Sequence, residues 1–233
     1  DITNLSFVQL DLESDEGWNA AAKDCDYVQH IASPFPLEQP RGREDLVPAA
    51  RAGAQRALAA GFGAGAKRIV LTSSMVAMMG YPSETGRETI TEDSWSDPEW
   101  KMLTPYYVSK TRAELSAWEY AKAQGFEDRL CVVNPGLVLG PAIGASYGTS
   151  LELIAQFMSG EFPRVPKVSL SIVDVRDLAE IHVEAMLRGD TAARRLLSAG
   201  GTLWLNDVAN ILRREFPDYE PKLPKGTLPN FII

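Results

Sequence analysis

Tyr106 and Lys110 stand in the spacing Y-x-x-x-K, inside the stretch PYYVSKTRAE. On a helix, residues i and i+4 point the same way. A free tyrosine has a pKa of about 10 and is a poor proton donor or acceptor at neutral pH. An ammonium beside it favours the phenolate and lowers that pKa. Such a tyrosine can act as general acid to a carbonyl oxygen that receives hydride, or as base in reverse. About thirty residues earlier the run RIVLTSS ends in Thr72, Ser73 and Ser74. A serine hydroxyl placed there can hold the same oxygen. Alone the Tyr–Lys pair is a weak signal, because a solvated helix face carries such residues too.

These residues need elements to position them. Short apolar runs rich in branched residues lie at 6–10 (SFVQL), 27–32 (YVQHIA), 68–74 (RIVLTSS) and 130–134 (LCVVN). Helical patterns separate them: DEGWNAAAKDC, LVPAARAGAQRALAAG and YVSKTRAELSAWEYAKAQ. This alternation predicts βαβ units and a parallel sheet covered on both faces. Ligands bind at the ends of parallel strands in such sheets. The strand before RIVLTSS ends in HIASP and the one after it in NPG (134–136), so both ends can line the same crevice. Beyond Asn134 the pattern loosens. LVLGPAIGASYGTS reads as a loop into a helix near SLELIAQFM, SLSIVDV as a strand, and RDLAEIHVEAMLRG as a helix. RRLLSAG reads as another strand and NDVANILRREF as a last helix. Ala113, Ala117 and Ala121 form a stripe of small residues that allows close helix packing.

Two other stretches imitate functional motifs. GFGAGA (61–66) fits G-x-G-x-x-A, but it follows a helix and precedes a strand. A dinucleotide fingerprint needs the reverse order, so that the pyrophosphate meets a helix N-terminus. The stretch reads instead as a glycine helix end. GASYG (144–148) fits G-x-S-x-G, with Ser146 as nucleophile and His182 as the only downstream histidine. A hydrolase elbow needs a strand running straight into the turn, and a proline-bearing loop intervenes here.

The composition narrows the classes further. The chain has 233 residues, 45% of them hydrophobic, and a net charge of -8. That acidic balance argues against nucleic acid or an anionic membrane as partner. No apolar run reaches the roughly 18 residues of a membrane span. Cys25 and Cys131 make no disulfide framework and read as buried free thiols in a reducing cytoplasm. His30 and His182, the two histidines, show no zinc-ligand spacing. His30 reads as a packing residue in its strand, and Asp174 and Asp177 as helix-entry or loop contacts.

Taken together, Ser74, Tyr106 and Lys110 resemble the extended short-chain dehydrogenase/reductase superfamily. VQHIASPFP, EDSWSDPEW before PYYVSK, NPGLVLGP and IVDVRDLAEIHVEAM are similar to its dihydroflavonol reductase-like branch. That branch includes dihydroflavonol and cinnamoyl-CoA reductases and microbial aldehyde and ketone reductases. The resemblance runs from about Phe7 to Phe216.

It implies an α/β, Rossmann-like, doubly wound parallel sheet with a small C-terminal substrate lobe. The expected division is 1–140 with 171–200 for the dinucleotide-binding domain, and 141–170 with 201–233 for the lobe. The branch's first strand, glycine-rich turn and second strand would lie before Asp1, and its last helical segment after Ile233. The implied catalytic residues are Ser74, Tyr106 and Lys110. The implied cofactor contacts are Asp11, Leu12, Ala32, Ser33, Thr72, Ser73, Tyr106, Lys110, Pro135, Gly136 and Val138. Pro34, Met75, Met79 and Tyr107 are expected at the substrate. Met79 falls near where the plant flavonoid reductases carry a polar residue, so an apolar pocket is expected.

The expected activity is reduction of a small carbonyl compound, hydrophobic or aromatic, with NADP(H) favoured over NAD(H). The alternatives are a nucleotide-sugar epimerase or dehydratase, and a non-catalytic NAD(P)-sensing regulator. A monomer or homodimer in the cytoplasm is expected.

Overall fold

The apolar runs pair much as their composition dictates. In a computed structural model, which describes residues 4–33, 40–82, 89–144 and 148–229, the elements begin α1 (Trp18–Ala22), β1 (Tyr27–His30), α2 (Val47–Gly63) and β2 (Arg68–Thr72). Then come α3 (Val76–Met79), α4 (Pro105–Ala123), β3 (Leu130–Pro135), β4 (Leu137–Leu139) and α5 (Thr149–Ser159). The last are β5 (Ser169–Asp174), α6 (Val175–Leu187), β6 (Arg194–Ser198), β7 (Gly201–Trp204) and α7 (Leu205–Glu215). They fall into two compact units: Asp1–Asn134 with Ile181–Leu197, and Pro135–Glu180 with Ser198–Ile233.

The first unit holds a four-stranded sheet in the order β1-β2-β3-β6. β1 and β2 run parallel with Tyr27 beside Arg68, and β2 and β3 run parallel with Ile69 beside Leu130. Ile69, Val70, Leu130, Cys131, Val132 and Val133 are fully buried, as a sheet covered on both faces requires. Ala54, Leu58 and Phe62 of α2 share one core with Ala117 and Ala121 of α4. The alanine stripe therefore packs inside the chain.

Gly61 lets α2 come close to the sheet, because a Cβ there would lie 2.7 Å from Cδ1 of Ile69. Gly65 adopts φ +79°, and the N–H of Ala66 donates to the carbonyl of Gly61 at 2.9 Å. GFGAGA is thus a glycine helix end that turns the chain into β2.

One expected strand does not form. Residues 6–10 carry no strand, and Phe7 and Val8 are exposed. A strand needs a neighbour for its N–H and C=O groups. Among the described strands β1 pairs only with β2, and nothing pairs with 6–10.

The second unit holds a three-stranded sheet, β4-β5-β7. β4 runs parallel to β5, and β5 antiparallel to β7. The β4 segment is expected as loop from the sequence, and β7 is given no assignment there. β5, expected to go with the nucleotide-binding domain, joins this second sheet instead. The close pairing here depends on Gly136, where a Cβ would lie 2.3 Å from the Ser171 carbonyl oxygen. Phe157 of α5 and Val208, Ala209 and Leu212 of α7 form the unit's core with Val165 and Leu223.

Candidate active site

β2 ends at Thr72, and the next two residues carry the hydroxyls that matter. The N–H of Ser73 donates to the Val133 carbonyl at 2.8 Å, which fixes the strand end against β3. Ser74 follows, 9% exposed. Pro105 opens α4, where a proline costs the helix no hydrogen bond. Tyr106 therefore sits in the first turn and Lys110 one turn later, on the same stripe.

The structure brings the three together in the first unit. The Tyr106 hydroxyl and the Ser74 side chain share a hydrogen bond. Burial pushes the Tyr106 phenol above its usual pKa, and the bond with Ser74 works against that shift. A lowered phenol pKa is the expectation from the sequence. Desolvation outweighs it in the free chain. Lys110 is buried. Burial lowers its pKa to about 8, while the Glu114 carboxylate pulls it up.

A small crevice opens beside Lys110 at the strand ends. It is lined by Ala32 and Ser33 after β1, by Thr72 and Ser73 at the end of β2, and by His30 and Glu114. His30 is buried and meets Trp18 edge to face at 6.4 Å. Burial, and then the Lys110 charge, hold its pKa down at about 4. It is a neutral wall residue.

Glu114, to which the sequence assigns no role, and His182, weighed there only as a triad or zinc-ligand candidate, are prominent here. Glu114 is 1% exposed and accepts hydrogen bonds from Ser73 Oγ (2.5 Å), Asn134 Nδ2 (2.8 Å) and Arg195 Nε (2.6 Å). Its signal was available, since it continues the Tyr106–Lys110 stripe by one more turn. His182 lies in α6, 6% exposed, with Nε2 2.7 Å from Thr72 Oγ1. It is a strut for the β2 end. The proposed partner Ser146 lies outside the described residues.

The other expected contacts fall elsewhere. Asp11 and Leu12 form a turn on α2: Asp11 Oδ1 accepts from the Glu13 N–H at 2.8 Å, and Arg56 donates to the Leu12 carbonyl. They are outside the set that lines the crevice. Pro135, Gly136 and Val138 belong to the second unit. Met75 is buried, Met79 is 41% exposed and Tyr107 packs with Val47, Leu103 and Val108. Pro34 lies outside the described residues. Asp174 accepts from the Arg176 N–H at 2.8 Å at the start of α6, as a helix-entry residue does.

Cys25 and Cys131 are both free thiols, the second fully buried. Among the described residues no cluster of three His, Cys, Asp or Glu could hold a metal ion. No helix among them is long and apolar enough to cross a membrane.

Residues 1–200 match the model of the NAD dependent epimerase/dehydratase family. The chain belongs to this family. Within it, the chain is 34% identical over 217 residues to cinnamoyl-CoA reductase 1 of Arabidopsis thaliana, covering 92% of this chain and 61% of that protein. It is 29% identical over 221 residues to the NADPH-dependent methylglyoxal reductase GRE2 of Saccharomyces cerevisiae, covering 88% and 65%. The chain thus spans less than two thirds of the length of these relatives. The crystal structure of yeast methylglyoxal/isovaleraldehyde reductase Gre2 complexed with NADPH superposes with a TM-score of 0.77 at 28% identity, covering 94% of this chain and 72% of that one. The extended short-chain dehydrogenase/reductase resemblance and the Rossmann-like fold class both stand with these family members.

Proposed function

We propose that this protein is an NADPH-dependent reductase that transfers hydride to an aldehyde or ketone, with Tyr106 as general acid. The observation that carries this is the Ser74–Tyr106 hydrogen bond, one helical turn from buried Lys110, at the end of a parallel strand. The relatives named as reductases support it, and the NADPH in the Gre2 structure supports the cofactor choice.

We place the ribose end of a nicotinamide dinucleotide at these strand ends, over the crevice beside Lys110. Ala32 and Ser33 are small residues that permit close approach, and Lys110 offers its ammonium. When bound, the nicotinamide supplies the hydride.

The chain's own residues do the rest. The Ser74 hydroxyl donates to the carbonyl oxygen and orients it. Tyr106 gives its proton to that oxygen as charge develops there. Its raised pKa keeps the proton in place at neutral pH, which a general acid requires. The Lys110 ammonium holds a ribose hydroxyl and favours the phenolate left after transfer. With Lys110 titrating at about 8, reduction is expected to weaken as pH rises through that value. Met79 is partly exposed and soft; as a wall of the substrate pocket it would fit hydrophobic or aromatic carbonyl compounds better than polyhydroxylated ones.

The test is NADPH and NADH oxidation, followed by absorbance, with the full chain and a panel of aromatic and aliphatic carbonyls. Turnover with NADPH, fastest on apolar carbonyls, is expected. No turnover with any carbonyl would contradict the proposal, and turnover of a nucleotide sugar instead would favour the epimerase alternative.

A further inference from the structure

Glu114 is a carboxylate buried at the end of the β-sheet, in reach of three separate elements. From α4 it accepts Ser73 Oγ at 2.5 Å from the β2 end, Asn134 Nδ2 at 2.8 Å from β3, and Arg195 Nε at 2.6 Å from β6. Asn134 Nδ2 also donates to the Ser74 carbonyl at 3.1 Å. Ser73 directly, and the Ser74 backbone through Asn134, are therefore tied to one carboxylate. That carboxylate lies one turn beyond Lys110 and two beyond Tyr106 on the same helix.

The arrangement is costly to build. Arg195 is held in turn by the carbonyls of Glu92 (3.0 Å) and Ser94, and its guanidinium stacks 3.7 Å over Trp95. The Asn134 amide is turned so that its Oδ1 has no donor from the protein. A buried ion pair of this kind is weak evidence for stability, since apolar residues of similar volume often serve as well. A role in fixing geometry accounts for it better.

We propose that Glu114 is a positioning residue that clamps the Ser74 strand end to the helix carrying Tyr106 and Lys110. Its charge, one helical turn from Lys110, also favours the ammonium there. This rests on the reductase reading above. The charged and titratable groups around Lys110 are His30 from β1, Tyr106 and Glu114 from its own helix, and Arg195 from β6 behind Glu114. Glu114 is the one anion of that set.

The test compares Glu114→Gln and Glu114→Asp with the unaltered protein. Gln keeps the size and removes the charge. Asp keeps the charge and withdraws it by one methylene from Ser73 and Asn134. For Gln, kcat is expected to fall at least tenfold, with KM for NADPH within threefold, and the alkaline limb of the pH profile to move down by half a unit or more. For Asp, kcat is expected to fall at least fivefold while the limb stays within a quarter unit. A purely structural role would lower activity evenly across pH, so an unmoved limb in Gln contradicts the proposal, as does kcat within twofold in either variant. Should Gln fail to fold, the Asp kcat decides.

Lys110 titration is read in parallel by NMR on 13Cε-lysine protein, assigned with Lys110→Met. A lower Lys110 midpoint in Gln than in the unaltered protein is expected, and an equal midpoint overturns the charge role. This second readout needs no turnover, so an inactive unaltered protein would fail the reductase reading without deciding the role of Glu114.

Discussion

At the scale of residues, the proposed mechanism divides the site into groups that would touch the reaction and groups that would hold them. Tyr106→Phe removes the transferred proton and leaves the ring packing. General acid catalysis contributes about 100- to 10,000-fold, so kcat is expected to drop by at least about 100-fold with little change in KM for NADPH. Steady-state kinetics checks this, and full activity in the variant would sink the mechanism.

Lys110 carries a second prediction. Its folded pKa, about 8, lies below the unfolded value of about 10.5. Between these the unfolded chain binds more protons, so this group's contribution to stability rises with pH across the window and is lost as pH falls through 8. Lys110→Met should gain most relative to the unaltered protein below pH 8, and that gain should shrink toward pH 10.5. Urea unfolding at several pH values measures it; a difference independent of pH would contradict it.

Tyr106, Lys110 and Ser74 were legible because helix spacing and a strand end place them without knowledge of the fold. Glu114 was legible in principle, as the next residue of the stripe. Arg195 and Asn134 were not, because only the pairing of β3 and β6 with the sheet brings them to α4. The direction of the Tyr106 shift was misjudged because a spacing shows a charge nearby and does not show how deeply the phenol is buried.

At the scale of elements, strands legible from long apolar runs formed, and those dependent on partners did not follow composition. β2 and β3 read clearly because both faces are covered and nearly every residue is apolar. Residues 6–10 have the same look, but no described strand offers them a ladder. β4 and β7 have three and four residues in glycine- and proline-bearing surroundings, too short for periodicity to show. Their existence rests on β5, which each flanks.

Gly136 is the element-scale test. Its missing Cβ would sit 2.3 Å from a backbone oxygen, and backbone cannot yield as a side-chain tip can. Gly136→Ala is expected to cost about 1–3 kcal/mol, in the range of overpacked sites. Chemical denaturation checks it. An unchanged midpoint would mean that the β4–β5 approach is looser than described.

At the scale of the whole molecule, family membership rests on a match across residues 1–200, and the pair of relatives described are both named as reductases. A cofactor that binds only the folded state stabilises it by about 2.7 kcal/mol at 100 times its Kd. In a chain of 233 residues that corresponds to a rise in Tm on the order of 5–10 °C. NADPH should give it, and NADH less at equal concentration. A larger shift with NADH would reverse the cofactor preference. GFGAGA gives no ground for either choice. Its place at the end of α2, ahead of a strand, is not that of a dinucleotide fingerprint, and the proposed cofactor site rests on the Ser74–Tyr106–Lys110 set and the strand ends around it.

The most direct test follows the hydride itself. The full chain is incubated with an aromatic aldehyde and NADPH carrying deuterium at both C4 positions, and the alcohol is analysed by mass spectrometry. One deuterium on the carbinol carbon is expected, formed at least about 100-fold more slowly by Tyr106→Phe. An unlabelled alcohol, no alcohol at all, or an undiminished rate in the variant would contradict hydride transfer with Tyr106 as the acid.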